Sequence, residues 1–205
     1  MTSEKAAQSY IDHHPEAEQY RDKLADFFNH FEGPKVIECG IGWLPTILLA
    51  HEALKLITPD YKISQIKEKF GGLRYYAGGG FPWDTPQGYA FESILGNAER
   101  EASTICENCG EKGYGPNFFY VKIRTFSGWH HTYCDPCEVE YIQKRYGKKC
   151  ETDEKVKQYF DSVKAEVERM KQFHIESAER AKKYEEENQA KIAEREAKKN
   201  AANSD

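Results

Sequence analysis

The sequence predicts an α+β fold: a small mixed domain with a β-hairpin, an inserted four-cysteine module of zinc-ribbon or treble-clef-like type, and a long C-terminal helix. Three observations predict it. Apolar residues recur at helical spacing in three separate stretches before residue 106. A β-forming run is broken by Gly71-Gly72, and four of the six cysteines fall into two C-x-x-C pairs. The 13 Tyr, 11 Phe and 3 Trp lie almost entirely before residue 161, which places the core there.

In chain order, Pro15 opens a helix over residues 15–32, since its missing N–H is not needed in a first turn. Tyr20, Leu24, Phe27, Phe28 and Phe31 form its stripe, and Gly33-Pro34 ends it. Lys35–Cys39 reads as a short strand or extended entry, and Gly40-Ile41-Gly42 turns into a second helix near Trp43-Leu44-Pro45. Leu44, Ile47, Leu48, His51 and Leu54 face inward there, Lys55 snorkels, and Thr58-Pro59-Asp60 stops the helix. Residues 61–76 read as two antiparallel strands turning at Gly71-Gly72. Gly78–Gly88 is a loop, either a plain connection or a ligand lid around Trp83 and Asp84. A third helix from about Tyr89 to Ile105 delivers the chain to Cys106.

Beyond the cysteines, Glu138–Tyr146 reads as helical with Gly147 as its stop. Val156, Phe160, Val163, Val167 and Met170 keep a 4-3-4-3 rhythm, the mark of a coiled-coil seam or of a helix docked by one face. The chain after it is charged and alanine-rich, and ends in an expected disordered tail. The expected organisation is therefore an N-terminal helical segment (1–34), an α+β core (35–105), the four-cysteine zinc-binding module (106–150) and the long helix (151–205).

Net charge is −5, divided as −5 over residues 1–105, +2 over 106–150 and −2 over 151–205. No concentrated basic patch stands out, which argues mildly against nucleic acid as the main partner. No apolar run approaches the ~20 residues that span a bilayer, so no membrane partner is expected. The first residues lack the apolar stretch of a secretion signal, giving a cytoplasmic expectation. Reduced thiols in that compartment favour metal over disulfides.

The cysteine pattern is the most specific feature. Cys106-Glu107-Asn108-Cys109-Gly110 and Cys134-Asp135-Pro136-Cys137 are separated by 24 residues. Zinc takes four tetrahedral ligands, and two residues between cysteines let the chain curl both sulfurs onto one ion. Gly110 permits the sharp turn after the first pair. Residues 117–126 and Trp129–Tyr133 suit a hairpin across Ser127-Gly128, and a helix starting right after Cys137 favours the treble clef over the ribbon. Four sulfurs leave no position for water, so the expected Zn2+ is structural. His130 and His131 adjoin the second pair; on a strand they point to opposite faces, so at most one can face the metal. Cys39 and Cys150 stand apart, and Cys39 has no identifiable base to make it a nucleophile.

Lys67-Glu68-Lys69-Phe70-Gly71-Gly72-Leu73-Arg74-Tyr75-Tyr76, with Gly42-Trp43-Leu44-Pro45 before it and Thr132-Tyr133-Cys134-Asp135-Pro136-Cys137 after it, resembles a group of uncharacterised bacteriophage and bacterial proteins. The resemblance covers roughly residues 35–145 and implies a phage-related origin, hence a host-cell cytoplasm, but no activity. In the same segment Lys67, Lys69, Arg74, Tyr75 and Tyr76 form a candidate contact surface, basic groups interleaved with aromatics that can grip phosphates and stack on bases. The alternative is that the aromatics pack the core while the cations stay solvated.

Three function classes follow. The first is a zinc-stabilised protein-interaction or modulator protein, such as a phage factor acting on a host protein, with the terminal helix offered to a partner or to a second copy as a homodimer. The second is a nucleic-acid binder using Lys122, Arg124, Lys144, Arg145, Lys148 and Lys149 with the hairpin. The third is a metal-dependent nuclease or hydrolase, for which the sequence displays no catalytic set.

Overall fold

Thr2 opens the first helix by accepting the Lys5 N–H on its hydroxyl, a cap that satisfies one free donor of the first turn. This helix, α1 (Ser3–His13), turns Ala6, Ala7, Tyr10 and Ile11 inward; the helical segment expected over 1–34 places its one helix only from residue 15. The computed structural model describes residues 1–113, 121–126 and 129–202. The expected helix over 15–32 is instead a 3-10 turn, Pro15–Tyr20, followed by α2 (Arg21–Asn29). Only Ala17 is fully buried in the first part, so no apolar stripe holds the α pitch until Leu24, Phe27 and Phe28.

Strand β1 (Ile37–Glu38) pairs in parallel with β2 (Lys62–Lys69), which pairs antiparallel with β3 (Gly72–Gly78). Between β1 and β2 lies α3 (Leu44–Ile57), where Leu44, Ile47, Leu48, His51 and Leu54 are buried as expected. The hairpin differs from expectation by one residue. Lys69 pairs with Gly72, so the turn residues are Phe70 and Gly71, both at positive φ, 56° and 76°. That is the handedness two-residue hairpins favour, normally with small residues.

Thr85 caps α4 (Pro86–Ala102) through the Gly88 N–H at 3.1 Å, and Phe91, Leu95, Ala98 and Ala102 pack inward. The loop before it sends Phe81 onto Phe91, while Trp83 stands 74% exposed. Helices and sheet share one apolar cluster running from Ala6 to Ile105, with Trp43, Phe27, Phe28, Tyr61 and Phe91 at its centre.

The second sheet is a hairpin of β4 (Lys122–Phe126) and β5 (Trp129–Tyr133) in the expected pairing, Phe126 opposite Trp129. Residues 117–120 of the expected first strand, and Ser127-Gly128, lie outside the described residues. Helix α5 (Asp135–Thr152) passes straight through Gly147, the expected stop. A mid-helix glycine costs only about 1 kcal/mol, and the packing of α5 on the next helix outweighs it. Asp153 breaks the chain instead, its Oδ1 accepting from the Lys155 and Val156 N–H groups to start α6 (Glu154–Ala202). Val156, Val163, Val167 and Met170 are buried within the chain and Phe160 is half-buried, so the heptad-like stripe is spent on docking α6 against α5 and the β4 side of the module.

Candidate metal centre

Two places in the chain bring the cysteines together. Cys106 and Cys109 lie in the turn after α4, where the Gly110 N–H donates to the Cys106 carbonyl at 2.9 Å and Gly110 adopts φ 76°. Cys134 occupies the N-cap of α5 and Cys137 its first turn. One knuckle plus one helix N-terminus, joined by a hairpin, is the treble-clef arrangement; a ribbon would use two knuckles. The four sulfurs all lie within 4.8 Å of one another, three of them buried and Cys109 exposed. Cys109 and Cys134 sulfurs stand 3.7 Å apart, and Asn108 donates its side-chain N–H to the Cys137 sulfur at 3.3 Å.

The donor set fits a metal ion. Cys106 accepts from the thiols of Cys109, Cys134 and Cys137, which holds its pKa far below the ordinary thiol range. Cys134 and Cys137 are pushed up by donating to Cys106. Cys109, like Cys106, is held down: its bond to Cys106 raises it, but those to Cys134 and Cys137 outweigh that. A divalent ion lets all four ionise, and the α5 N-terminus adds its partial positive charge. These four cysteines can hold such an ion.

The sequence motifs turn out to be the seat of this module. Gly40-Ile41-Gly42-Trp43 wraps the Cys106 turn: the Gly42 N–H donates to the Glu107 carbonyl at 2.8 Å and the Trp43 indole N–H to the Ile105 carbonyl at 2.9 Å. A Cβ at Gly42 would lie 2.2 Å from the Cys106 carbonyl, and one at Gly40 equally close to that of Glu107. Only glycine admits this approach. On the other side, Gly71 abuts Ile123, and the Thr132 hydroxyl donates to the Gly71 carbonyl. Phe70 meets His130 edge to face. The off-centre hairpin turn therefore has a tertiary cause: it presents Gly71 to the metal module. Glu107, between the two sides, receives the Gly40 N–H at 3.2 Å, yet burial pushes its carboxyl up to about 7.

A buried ion pair and a buried histidine–carboxylate hydrogen bond complete the module. Arg124 on β4 pairs with Asp135, their side chains 2% and 1% exposed. His131 on β5 meets Glu138 at 3.0 Å, and the Tyr159 hydroxyl on α6 donates to the same carboxylate at 2.9 Å. His131 is thus committed to Glu138, not to the sulfurs. Sequence reading misses these pairs; an acidic residue one position after Cys134, on a helix start, is the available signal.

The five candidate contact residues do not share one face. Lys67, Lys69, Arg74 and Tyr76 share one face of the hairpin, but Tyr75 is on the other, buried and hydrogen-bonded to Tyr61 at 2.9 Å. The alternation of side chains along a strand makes Tyr75 and Tyr76 exclude one another from a common face. Arg74 turns to Glu99 at 3.7 Å, Lys67 lies over the Tyr76 ring and Lys69 over Phe70. Arg124, expected among the nucleic-acid contacts, is inside the Asp135 pair. Burial, then Glu107 and Glu68, push the Cys39 thiol up, which disfavours its thiolate. Comparison with protein-family models, curated proteins and solved structures gives no match. No helix among the described residues is long and apolar enough to cross a membrane.

Proposed function

We propose that the chain is a zinc-stapled interaction protein: Cys106, Cys109, Cys134 and Cys137 bind one structural Zn2+, and the stiffened body presents α6 to a protein partner. The supporting observation is the closed, all-sulfur ligand set wedged against the core by Gly42 and Gly71. Such a set suits zinc and leaves no coordination position for substrate. Past Met170, Phe173, Ile175, Tyr184 and Ile192 stand exposed on α6, which favours a protein partner over nucleic acid. The resemblance at Lys67–Tyr76 fits a phage factor acting on a host protein in the host cytoplasm. The nucleic-acid reading is weaker, because Tyr75 and Arg124 are occupied inside the fold.

The test has two parts. Elemental analysis of the purified chain should find zinc, and Cys134→Ser should abolish its retention at this site. Pull-down with the full chain should recover a stoichiometric protein that a chain ending at residue 172 loses. Sulfur-free metal binding, or identical recovery with both chains, would refute the respective half.

A further inference from the structure

A second cluster of ligating side chains lies away from the cysteines, in the helical layer. Asp26 on α2 and His30 at its C-terminal cap are four residues apart, hence on one helix face. His51 on α3 faces them. One ring nitrogen of each histidine and a carboxylate oxygen of Asp26 lie within 4.8 Å of one another, with His51 Nε2 and Asp26 Oδ2 at 3.1 Å. The two imidazoles are buried, their ring centres 4.8 Å apart, while the Asp26 side chain is 43% exposed.

We infer that Asp26, His30 and His51 form a second metal site, taking a zinc-class divalent transition metal through two imidazole nitrogens and one carboxylate oxygen. Three features carry this. Ligand atoms around a tetrahedral ion with bonds of ~2.0–2.1 Å sit roughly 3.3 Å apart, and the His51–Asp26 separation already matches. Each histidine also has its Nδ1 anchored by the same residue, Tyr61. His30 Nδ1 lies 2.8 Å from the Tyr61 carbonyl, so it must carry the proton and leave its Nε2 lone pair for an ion. His51 Nδ1 lies 2.6 Å from the Tyr61 hydroxyl. Metal-bound imidazoles are oriented in this way by a partner on the far nitrogen.

The third feature is the hydroxyl chain. Tyr61 Oη is 2.9 Å from Tyr75 Oη, and a hydroxyl both donates and accepts. When Asp26 accepts from His51 Nε2, Tyr61 donates to Nδ1. When an ion takes Nε2, the Nδ1 proton is donated to Tyr61, which turns its own proton toward Tyr75. The site therefore loads with the heavy atoms of His51 and Tyr61 in place. Lys55 competes for Asp26 Oδ2, but it is partly exposed and has Glu52 within electrostatic reach, so its release is inexpensive. Three protein ligands leave at least one position open to solvent beside Asp26, unlike the closed four-sulfur set.

Cobalt titration of the chelator-stripped full chain distinguishes the two sites. The sulfur-bound ion gives intense thiolate-to-cobalt charge-transfer absorption, whereas a site of two nitrogens and one oxygen adds only weak d–d bands. Wild type should bind two equivalents, the charge-transfer signal saturating with one. Asp26→Asn and His30→Gln should bind one equivalent with the charge-transfer signal intact, which also reports that the variants fold. Uptake by wild type of a single equivalent that carries the charge-transfer signal, or of two equivalents by both variants, would overturn the proposal, whereas a single equivalent without that signal would overturn the four-sulfur site instead. Should neither variant fold, the wild-type stoichiometry decides alone.

Discussion

Residues 6–105 bury Trp43, Tyr61, Phe27, Phe28, Phe91 and a group of leucines and isoleucines in one cluster. The four-cysteine module buries Cys106, Cys134 and Cys137 with only Val121 and Tyr133 packed beside them among the described residues. Between the same chain's two regions, the source of stability has changed. Apolar burial of ~25 cal/mol per Å2 is ample for the first and scarce in the second. There, the close set of four sulfurs and the buried polar pairs take its place, and the module leans against the core at Gly42 and Gly71.

Metal removal should break that contrast open most visibly. Structural zinc supplies roughly 10–16 kcal/mol of apparent folding free energy in small zinc peptides. Chelation should therefore strip hydrogen-exchange protection from β4, β5 and the start of α5, while amides of α3 and β2 stay protected. Loss of protection in both regions together would mean a single cooperative unit. Next comes Arg124→Ala, which leaves the Asp135 carboxylate buried without its cation. Such breaks cost about 3–5 kcal/mol, to be read as a lowered denaturation midpoint that Arg124→Met with Asp135→Leu largely restores.

The mirror experiment is Leu54→Ala, fully inside the first cluster. A cavity of this kind costs about 2–5 kcal/mol, yet zinc affinity measured by competition should change little. Gly42→Ala acts at the junction and should do the reverse, costing about 1–3 kcal/mol from overpacking while weakening zinc retention. Smallest of all, truncation after residue 172 removes exposed helix and should leave the melting temperature nearly unchanged, since surface changes stay within about 0.5 kcal/mol.

The contrast also explains what can be read from the residues alone. Spacing exposes the two cysteine pairs because ligation geometry is local, and the inward stripe of α3 because burial is periodic. The hairpin turn lies one residue from its expected place because Gly71-Gly72 satisfies local turn chemistry equally well. Phe70 takes positive φ only because Gly71 must meet Ile123 and Thr132, more than fifty residues away. Gly147 misleads for the same reason, since its helix is sustained by α6. Asp26, His30 and His51 escape a reading by spacing because two lie on one helix and the third on another, a proximity that spacing cannot encode.

Helix α6 has a consequence for anyone handling the protein. Its 49 residues make a rod of about 74 Å at 1.5 Å per residue, whereas a packed body of about 150 residues has a radius of gyration near 15 Å. A particle so drawn out diffuses slowly for its 23.7 kDa. It will leave a sizing column early and pass for a heavier species, so stoichiometry should be weighed by scattered light and not judged from elution volume.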